Sequence, residues 1–258
     1  NALGGAGGPL AVLIIAIVAA ELGKAVSKET KIDILATPLV TIFAGVGLSM
    51  LIAAPIGAAA SQVGTLIMWA TEQAPLVMGI LVSVIVGVAL TLPISSAAIC
   101  AALGLTGLAG GAAVAGCCAQ MVGFAVMSYK ENGVGGLVSQ GLGTSMLQMG
   151  NIIKNPRIWI APTLASAITG PLATCLFHFE MNGAAVSSGM GTCGLVGQIG
   201  VYTGWVNDIA AGTKAATTPM DWAAMLLICF VLPAVLSVVF CEIERKLGWI
   251  KEGDLKLN

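Results

Sequence analysis

Two glycine-rich segments carry the polar side chains best suited to chemistry. "GLGTSMLQMGN", from Gly141 to Asn151, holds Thr144, Ser145, Gln148 and Asn151. "GMGTCGLVGQIG", from Gly189 to Gly200, holds Thr192 and Gln198, with Ser187 and Ser188 just before it. Hydroxyls and amides donate and accept hydrogen bonds without titrating near neutral pH, so they suit recognition of a polar solute better than bond cleavage. Gln120, in "GCCAQMVG", adds an amide inside a long apolar run, where its burial is costly and points to function. These nine side chains are the candidate ligands. His178 and Glu180, in "CLFHFEMNG", are candidates for a proton-linked step, because histidine titrates near neutrality. The sequence holds no nucleophile with its base, no metal-ligand cluster and no phosphate loop. It therefore predicts a binding protein rather than an enzyme, with no metal and no cofactor.

The elements that must position these residues are membrane helices. Of 258 residues, 57% are hydrophobic and only 9% are charged, and the mean hydropathy is +0.98. A soluble domain of this size needs far more charge to solvate its surface. The formal net charge of −1, without any basic run, excludes nucleic acid as a partner. The seven cysteines lack metal or redox spacing and read as small core residues. Apolar runs of spanning length, bounded by turn or charge signals, occur at 9–23, 34–54, 75–92, 158–179 and 222–241. The run 94–127 is too long for one helix and is expected to break at "GLAGG", Gly107–Gly111, giving two shorter ones. The mixed stretch 55–74, with Trp69 and Glu72 near its end, reads as an interfacial helix or short re-entry. The whole chain, 1–258, reads as one all-α transmembrane domain of about seven spans.

Basic residues set the orientation, because they are retained on the cytoplasmic side. With the loop holding Lys24, Lys28 and Lys31 inside, ten of the eleven basic residues share one face, Lys214 being the exception. That segregation requires the two glycine-rich segments, about 133–150 and 183–202, to be alike: both dips or both crossings. As dips they enter from opposite faces, the mark of an inverted repeat whose broken hairpins meet near the midplane. Backbone that leaves a helix inside hydrocarbon is tolerated only against protein or a wet cavity. Elsewhere, glycines such as Gly79 and Gly87 read as close-packing positions between helices. The C-terminal tail, 242–258, falls on the cytoplasmic side.

"LPISSAA" (Leu92–Ala98), "AQMVGFAVMSYKENG" (Ala119–Gly133), "QGLGTSMLQMGNIIKNPRIWIAPTLASAITGPLAT" (Gln140–Thr174), "GMGTCGLVGQIG" and "VLPAVLSVVF" (Val231–Phe240) together resemble the phosphotransferase-system enzyme IIC-like membrane family, which includes perfringolysin O regulator-like proteins. The resemblance runs over essentially the whole chain. It implies a multi-pass bacterial inner-membrane protein, a homodimer, with two opposed hairpins holding a small solute. Family members usually extend further at the N-terminus, which implies that helices precede Asn1. Sugar-transporting members hold the sugar with a His and a Glu near the hairpin tips. Here neither hairpin contains a carboxylate, and His178 and Glu180 are expected on the flanking helix. The leading expectation is an alternating-access transporter of a sugar-like solute or small organic anion. The alternatives are a solute sensor signalling through the cytoplasmic tail, and a sugar permease served by separate phosphocarrier proteins.

Overall fold

The computed structural model describes residues 8–28 and 32–257, and of residues 8–10 the backbone only. Lys31, counted above in the first basic loop, lies outside the described residues, as do 1–7. The described chain forms α1 (Gly8–Val26), α2 (Asp33–Gln73), α3 (Pro75–Thr91), α4 (Ser96–Leu103), α5 (Gly107–Met127), α6 (Tyr129–Val138), α7 (Met149–Lys154), α8 (Pro156–Leu176), α9 (Val196–Ala210) and α10 (Pro219–Lys246). Among the described residues there is no strand, only one antiparallel bridge between Gly107 and Met181.

Proline opens three of these helices, at Pro75, Pro156 and Pro219. Its missing N–H costs nothing in the first turn and its fixed φ is already helical. The start of α10 is reinforced by a reciprocal cap: Asp221 N–H donates to Thr218 Oγ1 (3.3 Å) and Thr218 N–H donates to Asp221 Oδ2 (2.7 Å).

Proline inside a helix behaves differently from the expectation at Pro55. The spans 34–54 and 55–74 are one 41-residue helix, α2, and not a span followed by a separate interfacial element. A five-residue π turn, Ser49–Ala53, lies immediately upstream of Pro55. α10 repeats the device, with a π turn at Leu227–Val231 upstream of Pro233. A proline ring clashes with the carbonyl four residues back, and the wider turn moves that carbonyl away, so the helix continues.

Four described helices, α2, α5, α8 and α10, are long and apolar enough to cross a membrane, and the protein is a multi-pass membrane protein. α3 is apolar but has 17 residues. The 94–127 run does divide, slightly before the expected break, with Gly104 and Gly107 both at positive φ. Its first piece, α4, has eight residues. It rises only about 12 Å, well short of the roughly 30 Å hydrocarbon core.

The chain forms two compact units, residues 1–65 with 101–103, and residues 66–100 with 104–258. In the first, α1 lays Ala11 and Ile15 against Ala53 of α2. Outward-facing apolar side chains such as Phe43 (72% exposed) and Leu51 (74%) suit contact with lipid. In the second, α5 is the central helix, buried over nearly its whole length. Small residues admit its neighbours: a Cβ on Gly116 would stand 1.9 Å from Ser83 O of α3, and one on Gly87 would stand 2.7 Å from Gly116 O. Gly79 of α3 meets Gly170 of α8 in the same way, so the close-packing reading of Gly79 and Gly87 holds.

Candidate functional site

Both glycine-rich segments interrupt helix, as their composition predicts. In the first, α6 leads into a π turn (Ser139–Gly143), Thr144 is extended at φ −159° and ψ 141°, and a 3-10 turn (Ser145–Gln148) leads into α7. Thr144 Oγ1 caps that turn, accepting from Met146 N–H at 3.2 Å. In the second, 3-10 turns at Ala185–Gly189 and Cys193–Leu195 precede α9. Leu195 is left-handed at φ 59°, a conformation disfavoured for a branched side chain. Gly191, at φ 53°, presses so closely on α5 that a Cβ would lie 2.7 Å from Cys117 Cβ.

The two segments touch. Thr192 Oγ1 of the second donates to the Gly141 carbonyl of the first at 2.5 Å. Beside them lies a buried polar cluster built from four elements. Gln120 of α5, fully buried, accepts at Oε1 from Trp159 Nε1 (3.0 Å) and Thr91 Oγ1 (3.3 Å) and donates from Nε2 to Thr163 Oγ1 (3.3 Å). Thr91 and Ser145 share a 2.9 Å hydrogen bond. Because the single hydroxyl proton of Thr91 goes to Gln120, Ser145 is the donor in that pair. Gln120 and Ser145 are therefore joined as the sequence expects. Thr91, Trp159 and Thr163 were missed, since each looks like an ordinary residue near a helix end. The one available signal was that a buried amide must find partners for both its atoms.

Gln198 donates to Cys118 Sγ at 3.2 Å, while its Oε1 is buried without a partner. Ser188 donates to Leu105 O (2.7 Å), and Ser96 of α4 donates to Gly189 O (2.7 Å), fixing the second segment against its surroundings. Ser187 is buried against Gly200, where an added Cβ would meet its own at 2.4 Å.

Gln148 and Asn151 face elsewhere. Gln148 Nε2 donates to Gln140 Oε1 (2.9 Å) and Leu255 O (3.0 Å), and Asn151 Nδ2 donates to Gln148 Oε1 (2.7 Å) and Lys256 O (2.9 Å). They hold the C-terminal tail on the first segment. Asn132 completes the hold: its Nδ2 donates to Leu255 O, and Leu257 N–H donates to its Oδ1, both at 2.8 Å. Asn132→Ala should lose both bonds and raise amide exchange of the tail about thirtyfold, at roughly 1 kcal/mol per bond. Hydrogen–deuterium exchange of the 247–257 peptide reads this directly.

His178 and Glu180 are not on a helix, because α8 ends at Leu176 and His178 adopts φ 44°. They line a cavity of about 440 Å³ with Asn182, Trp205, Asp208 and Lys214. Asn182 Nδ2 bridges Glu180 Oε2 (3.1 Å) and Asp208 Oδ2 (2.9 Å), and Lys214 pairs with Asp221 at 2.9 Å. This group lies beyond the C-terminal end of α8. Arg157, stacked on Trp249 of the tail at 5.6 Å, and the ion pairs Lys130–Glu242 and Arg245–Glu131 belong to the tail region at the start of α8. The 21 residues of α8 separate the two by about 30 Å.

A family model described as "Phosphotransferase system, EIIC" matches residues 1–257. Comparison with curated proteins and with solved structures gave no match. A model that spans almost the whole chain, over a helical membrane fold with a buried polar cluster, shows that this chain belongs to the phosphotransferase-system EIIC family of permease-like membrane transporters.

Proposed function

We propose that the protein carries a small polar solute, sugar-like or a small organic anion, bound where the two glycine-rich segments meet. In this reading both segments are re-entrant hairpins entering from opposite faces of a bacterial inner membrane, within a single transmembrane domain that works as a homodimer. The observation that carries it is the Thr192–Gly141 contact beside the Gln120 cluster, because it brings both broken segments to one buried polar place. Gln120 uses one of its two N–H donors, and Gln198 Oε1 accepts nothing, so both can serve a solute. Ser145, with Thr144 beside it, and Thr192 would frame that place, Ser187 and Ser188 would act by fixing the second segment through Gly200 and Leu105, and Gln148 and Asn151 would act through the backbone they hold. The separation of Lys214 from the basic residues of the tail region supports the inside–outside assignment, with the tail cytoplasmic. His178 and Glu180 then lie at the outer mouth, where a proton-linked role is confined to entry or release.

Uptake of labelled sugars and organic acids into proteoliposomes tests the reading directly. Alternating access further requires the hairpin tips to separate. A Gly141→Cys, Thr192→Cys pair in a Cys193→Ser background should cross-link and reduce uptake to background, with recovery on reduction. The cysteine at 141 is tolerable, since its Cβ would meet Ala125 Cβ at 3.4 Å. Unchanged uptake in the oxidised pair would refute the motion. The sensor alternative is favoured by one observation, the tail held on the first hairpin by Gln148. Solute accumulation in the proteoliposomes excludes a sensor that does not transport.

A further inference from the structure

A second cavity, of about 430 Å³, lies between α7 and the tail and is lined by Asn151, Lys154, Asn155, Asp254 and Lys256. It is distant in kind from the solute place: its wall is formed by two segments about a hundred residues apart in sequence, and both contribute an ammonium. Among the described residues, neither Lys154 nor Lys256 has a carboxylate within salt-bridge distance. The one acid in the wall, Asp254, is held at Oδ2 by Lys251 N–H and Asn155 Nδ2, each at 2.9 Å, and its single charge leaves the wall with a net charge of about +1 from the two ammoniums. The amide groups that might otherwise serve an anion are also spent. Asn151 Nδ2 is bound to Lys256 O, and Asn155 Nδ2 to Trp249 O at 2.9 Å. What remains is a pair of flexible ammoniums whose backbones are fixed, one on each side of a cleft. Two like charges held across a cavity repel each other, and a multivalent oxyanion between them converts that repulsion into attraction on both sides.

We propose that this cleft binds an oxyanion of the phosphate class between Lys154 and Lys256, and that the occupant clamps the tail onto the first hairpin. Lysine suits this task as a point-charge phosphate binder that needs no fixed geometry. Clamping follows because the ligand bonds to both elements, and so binds only the docked tail. Since Gln148 and Gln140 connect the docked tail to the π turn of the hairpin, occupancy also bears on the mobility of the hairpin. The oxyanion can come from free phosphate or from an anionic lipid headgroup.

The test uses the full chain in nanodiscs and follows amide exchange at Gly253 and Leu257, whose N–H groups donate to Glu131 Oε1 and Asn132 Oδ1. In phosphatidylcholine discs, inorganic phosphate at ten times its Kd should slow exchange about tenfold relative to chloride at equal ionic strength. Lys154→Gln and Lys256→Gln should each lose this response, Lys154→Arg should keep it, and Lys246→Gln, outside the cavity, should keep it. Phosphatidylglycerol discs that protect these amides without phosphate identify the lipid headgroup as occupant and support the proposal equally. Exchange that is the same in chloride, phosphate and phosphatidylglycerol overturns it. So does a phosphate response that Lys246→Gln abolishes as fully as Lys154→Gln. The readout does not pass through transport, so its failure leaves the solute reading untouched.

Discussion

Gln120→Leu should insert and fold but lose solute uptake, with binding at least about tenfold weaker for one lost charge-free hydrogen bond and its dependent contacts. The reasoning begins with what the amide organises. Its Oε1 accepts from Trp159 and Thr91, and through Thr91 it fixes the Ser145 hydroxyl of the first glycine-rich segment. Leucine fills the same space but leaves the partly buried Trp159 N–H without its acceptor, at roughly 1–3 kcal/mol, and frees the Thr91 hydroxyl to turn towards Ser145 Oγ, so that the donor order of that pair is lost. A fall of several degrees in melting temperature should accompany the loss of function. Ser237→Ala is the matched control, because it removes a buried hydroxyl that has no partner. It should leave both uptake and melting temperature unchanged or slightly improved. If Gln120→Leu transports normally, the polar cluster is structural and the solute lies elsewhere.

The largest stability effect is expected at Gly116. Valine there would place Cβ 1.9 Å from Ser83 O, a main-chain atom of α3 that cannot rotate away. The central helix and α3 must separate, which strands Ser83 Oγ from Ser166 O, now 2.8 Å apart. A loss above about 4 kcal/mol follows, enough to remove the folded protein from detergent extracts. Size-exclusion chromatography of a fluorescent fusion measures it. Gly47→Ala in α2, where nothing lies within 4 Å, should instead be neutral or stabilising by about 0.5–1 kcal/mol, through helix propensity alone.

How much of this was legible in the sequence follows from the range of the interactions involved. Composition alone announces membrane helices, and Pro75 marks the start of α3 because proline acts on its own backbone. The interruption of helix at both glycine-rich segments is equally local, as is the division near Gly107. Pro55 misled because the compensating π turn lies in the preceding residues, where no residue type signals it. Nothing near Gln148 and Asn151 in the sequence announces the partners they have in the structure, because the carbonyls of Leu255 and Lys256 lie about a hundred residues away. Gln120 was legible and Trp159 was not, for a related reason. An amide in an apolar run is conspicuous, whereas an indole near a helix end is common until its N–H is seen to point inward.

The contact between the two glycine-rich segments ends on a main-chain oxygen, that of Gly141. Much of the tail hold also ends on main-chain oxygens, those of Trp249, Leu255 and Lys256. A side-chain mutational scan therefore records only one half of each bond. Thr192, Gln148 and Asn151 will score as sensitive while 141 tolerates small substitutions, and Leu255, whose side chain is fully buried, will score for its packing and not for the carbonyl it offers. In a map of mutational tolerance these joints will resemble isolated polar residues without partners, and only deletion or a backbone ester at the accepting peptide will reveal the other half.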